Sequence, residues 1–449
     1  MIRYLEGFAL LTALIAGACR SAQSSPESAP PDTVESPPPA PPAASATSSH
    51  EDAAEASAAP PSSSAPSRAT TFPSLLNISV RAPDAFYTPP TKLPPTPGAL
   101  LKSEPLKDVA LPSGMQGWRI LYTTSVDDRT PATAVATVFA PEKLPPGPRP
   151  VIAWAHGTTG LMQECMPSLV SVPSEGIPAR DRILQQGWVV VATDYAFAEK
   201  GGPHPYLIGE GEARSTLDAV RAAQGMPELT LADRTVVWGH SQGGHAALWT
   251  GSVGPRYAPE VKIFGVAAIA PAADPKSILA MNVEVDKRLG AYVARAYSRF
   301  YPDVTFEQAL RPEALAAARE MQSLCGFLPP DHPLRIHALA TSFQGPALAT
   351  SKNPALAARL TQNAATGAIA APVLVAQGLA DIAVPPRATD AYVEGRCAAG
   401  QQLEYWTFPA PDHLSIVRRG SPLDEPLAAW TSARFEGKPQ QPGCSRKSW

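Results

Sequence analysis

The segment Gly239-His240-Ser241-Gln242-Gly243 holds a serine between two glycines at a spacing that suits nucleophilic catalysis. Apolar residues 235–238 precede it and a helical pattern begins at His245, so the expected order is strand, sharp turn and helix. Glycine is needed on both sides because a Cβ there would collide with the neighbouring strand or helix. The N–H of Gln242, at the start of the helix, is then a candidate donor to an oxyanion beside Ser241 Oγ. This context predicts a nucleophile elbow for acyl transfer rather than a chance Gly- and Ser-rich loop.

A serine hydroxyl is a weak nucleophile at neutral pH and needs a base, which is usually histidine. His413 is the candidate, because it lies on the loop after the last predicted strand, residues 403–408, and follows every candidate acid. A surface-loop histidine is the alternative. The other histidines lie in the N-terminal segment, in glycine-containing loops, directly beside Ser241 or in a helical insertion: His50, His156, His204, His240, His245, His332 and His337.

The base in turn needs a carboxylate that fixes its tautomer. Asp381 is the candidate, because it follows the predicted strand 372–376 and therefore lies at the carboxyl end of a strand. Asp274 also ends a predicted strand and remains a rival. Two further acids are set aside, since Asp412 adjoins the base too closely and Asp390 is on a predicted helix.

A second glycine-containing turn, His156-Gly157-Thr158-Thr159-Gly160, follows the predicted strand 151–155. Its glycines allow a backbone N–H to face the serine, and the N–H of Thr158 is the candidate second oxyanion donor. A plain glycine turn without a catalytic role is the alternative.

Strand and helix patterns alternate along most of the chain. Alternation predicts a mostly parallel sheet with helices on both faces, preceded by an antiparallel hairpin around residues 127–130 and an irregular lead-in at 71–117. The predicted strands are residues 118–125, 133–139, 151–155, 188–193, 235–238, 263–270, 372–376 and 403–408. The predicted helices outside the insertion are residues 182–186, 212–223, the run from 245 and 387–396.

Residues 274–367 interrupt the alternation with helical patterns near 276–300 and 304–324. An insertion between a strand after the serine and a strand before the acid must lie over the carboxyl edge of the sheet, where open parallel sheets bind ligands. Two hypotheses follow for this cap. It lines a long apolar acyl tunnel and opens at lipid surfaces, or it is a fixed cap above a small pocket.

The N-terminal region predicts export. An apolar run at residues 8–15 is too short to span a membrane comfortably and fits a signal peptide over 1–18. Cys19 follows small residues as in a bacterial lipobox, which predicts lipidation and membrane anchoring, with plain secretion as the alternative. Residues 19–75 are rich in Pro, Ser and Ala and predict a disordered, extended tether, which leaves a folded domain at 76–449.

Export implies an oxidising compartment, in which the four cysteines after Cys19 are expected to pair. Four cysteines allow three pairings. Cys397 and Cys444 both lie in the C-terminal stretch, which favours that pair and leaves Cys165 to join Cys325. No zinc-binding spacing of Cys and His is present in the sequence, and a net charge of −3 does not favour a nucleic-acid partner.

Three motifs together resemble the secretory lipase family of α/β-hydrolases. They are the turn Trp-Ala-His-Gly-Thr-Thr-Gly, the elbow Trp-Gly-His-Ser-Gln-Gly-Gly-His and the acid loop Gly-x-x-Asp-x-x-Val-Pro, in the order Ser…Asp…His. The resemblance implies an α/β-hydrolase fold, a mostly parallel sheet with flanking helices and a helical cap, or lid, insertion. It also implies esterase or triacylglycerol lipase activity on an ester or lipid substrate, with no cofactor.

The expected function is that of an exported serine hydrolase that cleaves carboxylic esters. Ser241, His413 and Asp381 form the expected triad, and Gln242 and Thr158 the expected oxyanion donors. A small-ester esterase, an acyltransferase or a peptidase would use the same triad. A non-catalytic envelope protein on a decayed hydrolase fold would be expected to lack one of its members.

Overall fold

The structure is a computed structural model that describes residues 78–197 and 204–449. The predicted signal peptide (1–18), the tether (19–75) and lipidation of Cys19 lie outside the described residues and remain predictions. The described chain from Ile78 onward is one compact unit.

The strands of the described chain form a single ten-stranded sheet in the order β1-β2-β3-β5-β4-β6-β7-β8-β9-β10. Their bounds are β1 Leu100–Pro105, β2 Met115–Ser125, β3 Pro131–Pro141, β4 Arg149–Ala155, β5 Val189–Phe197, β6 Leu231–His240, β7 Lys262–Ile269, β8 Val373–Gly378, β9 Leu403–Phe408 and β10 Cys444–Ser448. The pairs β1–β2, β2–β3 and β3–β5 are antiparallel. All pairs from β5–β4 to β9–β10 are parallel, which confirms the predicted sheet and hairpin.

Helices connect the parallel strands and form the insertion. Their bounds are α1 Arg180–Gln186, α2 Gly209–Gln224, α3 Gln242–Tyr257, α4 Pro275–Met281, α5 Val283–Phe300, α6 Phe306–Ala309, α7 Leu315–Met321, α8 Asp331–Thr341, α9 Pro354–Gln362, α10 Pro386–Ala398 and α11 Asp424–Phe435. No described helix is long and apolar enough to span a bilayer.

Successive side chains of a strand point to opposite faces of the sheet, and helices cover both faces of the central strands. In β4, Val151 and Ala153 join the core formed with α2, α3 and α10, whereas Ile152 and Trp154 join the core formed with α1 and α11. Full burial of such an apolar side chain contributes about 1.5–3 kcal/mol, so the sheet is a rigid support for the loops at its carboxyl edge.

Two strands differ from the sequence prediction. Residues 100–105 form β1, although the lead-in is expected to be irregular, because they pair with β2 while their side chains stay half-buried and show no alternation. Residues 444–448 form β10 with every side chain exposed, so no apolar pattern marks that strand.

The insertion is helical, as predicted, and contains α4 to α9. The pattern near 276–300 is split at Asn282, whose side chain accepts a hydrogen bond from the N–H of Val285 and starts α5. The helices share an apolar core that also includes Val384 of the loop after β8. The cap therefore packs against the loop that carries Asp381.

Two disulfides join the pairs favoured by the sequence. Cys165 is bonded to Cys325, and Cys397 is bonded to Cys444. The first connects the loop after β4 to the cap, and the second connects α10 to β10.

Candidate active site

Ser241 lies between the end of β6 and the start of α3 with φ 57° and ψ −117°, a backbone conformation that ordinary residues rarely adopt. The flanking glycines are required. A Cβ on Gly239 would lie 1.8 Å from the carbonyl oxygen of Gly243, and one on Gly243 would lie 1.8 Å from that of Ala155. The turn therefore packs more tightly than any other residue type would allow.

The structure brings Ser241, His413 and Asp381 together in one hydrogen-bonded chain. His413 Nε2 lies 2.9 Å from Ser241 Oγ, and His413 Nδ1 lies 2.7 Å from Asp381 Oδ2. Because the carboxylate can only accept, Nδ1–H donates to it and Nε2 is left to accept from the serine hydroxyl. The Asp381 side chain is fully buried and that of His413 is 14% exposed, so the base is open to a substrate while the acid is not.

Asp381 is held by its own loop. Its Oδ1 accepts hydrogen bonds from the N–H groups of Ala383 (2.9 Å) and Val384 (2.8 Å). Its Oδ2 also accepts from Gln377 Nε2 at 3.1 Å, in addition to the bond from His413. The carboxylate is therefore satisfied on both oxygens and fixed in orientation.

His240, the residue before the serine, contacts both the backbone and the ring of His413. Its Nε2–H donates to the carbonyl of His413 at 2.7 Å, and the two rings lie 4.7 Å apart. Burial, with the neighbouring His413 as a second cause, lowers the pKa of His240 well below its usual value. His240 therefore holds the His413 loop in place while it stays neutral.

The turn after β4 lies against the nucleophile. A Cβ on Gly157 would lie 3.4 Å from Ser241 Cβ, and the hydroxyl of Thr158 is 2.9 Å from that of Tyr206. On the other side of the serine, α3 begins at Gln242, and the first N–H groups of a helix have no partner within it. Gly157 thus lies against Ser241 on the turn that carries Thr158, and Gln242 follows the serine directly, while their roles as oxyanion donors remain predictions.

Asp274, the rival acid, has a different task. Its carboxylate accepts from the N–H of Ser277 at 3.2 Å and from its hydroxyl at 2.5 Å, which caps the N-terminus of α4. Of the set-aside histidines, His332 accepts from the N–H of Cys325 and His337 lies against Arg288, both within the cap.

The cap is joined to two loops of the site, the turn after β4 and the loop of Asp381. The Cys165–Cys325 disulfide and a 2.7 Å hydrogen bond from Gly326 N–H to the Thr159 carbonyl join it to the turn after β4. Asn282 Nδ2 donates to the Ile382 carbonyl at 2.6 Å and joins it to the acid loop. The cap is therefore fastened to both loops that flank the serine.

Sequence reasoning missed the supporting residues Gln377 and His240, as well as a buried pair, Glu212 and His245, behind the elbow. The one feature of the sequence that points to any of these residues is the pair of histidines, His240 and His245, on either side of Ser241. Within residues 78–197 and 204–449, no group of three or more His, Cys, Asp or Glu side chains is arranged to hold a metal ion.

The fold has a solved counterpart. The structure aligns with Candida antarctica lipase A in its closed state at a TM-score of 0.63 and 20% identity, over 80% of this chain and 87% of that one. The fold is that of an α/β-hydrolase.

Sequence comparisons agree with this fold. A model of the secretory lipase family matches residues 179–321, which span the elbow and the first part of the cap. Lipase 10 of Candida albicans is 25% identical over 413 residues, which cover 84% of this chain and 86% of that protein. The secreted triacylglycerol lipase LIP3 of Malassezia globosa is 24% identical over 392 residues, which cover 80% of this chain and 83% of that protein. The chain is thus similar to fungal lipases, one of them a secreted triacylglycerol lipase, over most of its length.

Proposed function

We propose that the protein is a carboxylic ester hydrolase that works through Ser241, His413 and Asp381. The observation that carries this proposal is the continuous hydrogen-bonded chain from Ser241 Oγ through the His413 ring to Asp381 at the carboxyl edge of the sheet. The similarity to secretory lipases supports the choice of ester hydrolysis over other acyl-transfer reactions.

In the first half-reaction, Ser241 Oγ attacks the ester carbonyl while His413 Nε2 takes the hydroxyl proton. Asp381 keeps Nδ1 protonated and stabilises the imidazolium that forms. The oxygen that becomes negative is received by the N–H groups of Gln242 and Thr158. His413 then delivers its proton to the leaving alcohol, which leaves an acyl group on Ser241.

In the second half-reaction, water attacks the acyl-enzyme and His413 again takes the proton. The same oxyanion donors receive the second tetrahedral intermediate, and collapse returns the free serine and a carboxylic acid. Both half-reactions thus use the same base and the same oxyanion donors.

The substrate class is a lipid ester, such as a triacylglycerol. The similarity to a secreted triacylglycerol lipase of Malassezia globosa supports this class, as does a cap whose shared core is apolar. The finer hypothesis is that the cap lines an acyl tunnel and acts as a lid.

The proposal includes export. Two disulfides support it, since such bonds persist in oxidising compartments. Anchoring in a bacterial envelope through lipidated Cys19 is a finer proposal that rests on the sequence alone. If it holds, Cys19→Ser moves the protein from the membrane fraction to the soluble fraction; wild-type protein already in the soluble fraction would exclude it.

The decisive test is ester turnover by Ser241→Ala, assayed on p-nitrophenyl esters. Loss of the nucleophile should cost on the order of 10⁶ in kcat. Ser432→Ala, on the outer helix α11, is the matched control and should keep wild-type turnover. Near-normal turnover by Ser241→Ala in a clean preparation would remove this serine from the mechanism.

A further inference from the structure

Behind the elbow lies a second charged pair that the triad does not use. Glu212, in the first turn of α2, and His245, in the first turn of α3, are both fully buried. Glu212 Oε2 lies 2.7 Å from His245 Nδ1. On the far side of the ring, His245 Nε2 lies 2.7 Å from the carbonyl oxygen of Asn363.

The hydrogen-bond partners of the ring fix its protons. A carbonyl oxygen only accepts, so His245 Nε2 must carry a proton toward Asn363. Glu212 accepts two further bonds at Oε1, each 2.9 Å, from the N–H of Leu207 and from Gln242 Nε2. A carboxyl group that accepts this many donors is favoured as the carboxylate, so Nδ1 carries the second proton. This arrangement favours a carboxylate beside an imidazolium over a protonated carboxyl group beside a neutral ring.

Three buried phenols also face Glu212. They belong to Tyr195, Tyr206 and Tyr297, and burial raises the pKa of each phenol above its usual value. These phenols stay neutral and supply no positive charge, whereas His245 is bonded directly to Glu212. A buried carboxylate without such a partner would be costly.

Hydrogen bonds at the start of α3 connect the pair to Ser241 and Gln242. Glu212 holds the Gln242 side chain, whose backbone N–H is the proposed oxyanion donor, and the N–H of His245 donates to the carbonyl of Ser241 at 3.1 Å. Asn363, directly after α9, ties the same pair to the end of the cap, because its Oδ1 also accepts from the N–H of Gly209 at 3.0 Å. One buried charge pair thus joins the elbow, α2 and the cap.

We propose that Glu212 and His245 are positioning residues whose buried carboxylate–imidazolium pair fixes Gln242 and so aims the oxyanion donor. This inference rests on the proposed ester hydrolysis for its catalytic meaning. Charge-assisted hydrogen bonds are about twice as strong as neutral ones, so a charged pair restrains Gln242 more tightly than a neutral one. The effect belongs to the transition state and the tetrahedral intermediate, because negative charge develops on the substrate oxygen only there.

The first experiment counts protons in full-length protein labelled with ¹⁵N-histidine. At pH 8, NMR should show one ring with both nitrogens protonated, and Glu212→Gln should convert that ring to a neutral ring protonated at Nε2 alone. That conversion is expected because the Gln side chain can donate to Nδ1 in place of accepting from it. A wild-type protein in which every ring is neutral at pH 8 would overturn the charged pair.

The second experiment measures positioning. Glu212→Gln should lower kcat about tenfold, the effect of losing roughly 1.4 kcal/mol of transition-state stabilisation, with little change in KM. Its affinity for a trifluoromethyl ketone, which forms an oxyanion on Ser241, should fall by a similar factor. Glu210→Gln is the matched control, since Glu210 is on the same turn of α2 but pairs with Arg214 and Arg256 near the surface.

Gln242→Met is the second variant, because it keeps the backbone N–H and removes only the tie to Glu212. It should lower kcat and ketone affinity in the same way. Wild-type kcat and ketone affinity in folded Glu212→Gln and Gln242→Met would overturn the positioning role. A wild-type protein with no ester turnover would instead reject the proposed function, while the proton count would still decide the state of the pair.

Discussion

Ser241 shows how much local strain the fold accepts at one residue. Its left-handed backbone costs on the order of 1–3 kcal/mol, which the surrounding structure must offset. Two backbone hydrogen bonds do part of this, from Ser241 N–H to the Ile269 carbonyl at 2.9 Å and from the Ala272 N–H to the Ser241 carbonyl at 2.9 Å. The serine is therefore held by β7 and the segment after it, as well as by its own turn.

The two candidate acids separate cleanly in a pair of isosteric substitutions. Asp381→Asn should lower kcat by about 10⁴, because the amide favours the wrong tautomer of His413. Asp274→Asn should keep wild-type kcat, since asparagine caps a helix N-terminus about as well as aspartate. Steady-state kinetics on one ester checks both. If Asp274→Asn is the crippled variant and Asp381→Asn is not, the assignment of the acid is wrong.

The sequence predicts those parts of the candidate site whose residues lie close together along the chain. The elbow, the loop of Asp381 and the turn of Thr158 each follow a recognisable strand within a few residues. The Glu212–His245 pair was not predicted, because its partners lie on α2, on α3 and at Asn363, and only the folded chain brings them together. His240 was missed because its role depends on a carbonyl 173 residues away.

At the scale of elements, the cap and the loops of the site behave as one fastened unit. The cross-link between Cys165 and Cys325 closes a loop of 160 residues and ends next to the turn of Thr158. A Cβ on Gly160 would lie 2.6 Å from Cys165 Sγ, so the turn is packed directly against the disulfide. The position of the turn therefore depends on the link.

Removing each disulfide by paired serine substitution should distinguish stability from catalysis. Both Cys165→Ser/Cys325→Ser and Cys397→Ser/Cys444→Ser should lose about 2–5 kcal/mol of unfolding free energy. The first pair should also lower kcat at a temperature where the protein remains folded, because the turn is released. Thermal unfolding and kinetics on both variants check this. Equal kcat values in the two variants would show that the turn does not need its link.

The substrate range tests the cap itself. If the cap lines an acyl tunnel, octanoyl and palmitoyl esters should be cleaved faster than acetyl esters, since each buried CH₂ contributes about 0.8 kcal/mol. A rise in rate as the substrate aggregates would support a lid. Rates are measured below and above aggregation, with Ser241→Ala as the background control. Best turnover of acetyl esters with failure of longer chains would favour a fixed cap over a small pocket.

The fold was predictable where strands have a buried face. The parallel strands β4 to β9 are recognisable in the sequence as apolar runs. The helical patterns between them indicate that they run parallel. β1 and β10 lack this pattern, because β1 is half-buried up to its exposed last residue, Pro105, and β10 is fully exposed. Their place in the sheet is decided by backbone pairing, which leaves no mark on side-chain type.

At the scale of the whole molecule, buried titratable groups make stability depend on pH in opposing ways. Burial lowers the pKa of His156 to about 4 and of His204 to about 3. The free energy of unfolding that these neutral histidines contribute is therefore lost as pH falls below 6.5. Burial raises the pKa of Asp194 to about 7, so its contribution is present below pH 3.8 and lost as pH rises through 7. A variant is needed to separate these effects.

Asp194→Asn should be destabilised less, or stabilised more, at pH 8 than at pH 5 relative to the wild type. Between these values the wild type loses roughly 2.5 kcal/mol, because the unfolded chain ionises this carboxyl throughout the range while the folded chain keeps it protonated up to about pH 7. The amide oxygen can keep the bond from the Ser168 N–H. The measurement is Tm at both pH values, with Asp233→Asn on the exposed part of β6 as control. A Tm difference that does not change with pH would contradict the raised pKa.

The tenth strand has a consequence for solubility rather than for chemistry. β10 is short, carries Arg446 and Lys447, and pairs along β9, which reads Leu-Glu-Tyr-Trp-Thr-Phe. An uncovered strand of that composition would present free N–H and C=O groups to a second molecule and invite edge-to-edge aggregation. The disulfide from Cys444 to α10 keeps β10 in place beside β9. Reducing that bond during purification should therefore harm the yield of dispersed protein sooner than its activity per molecule.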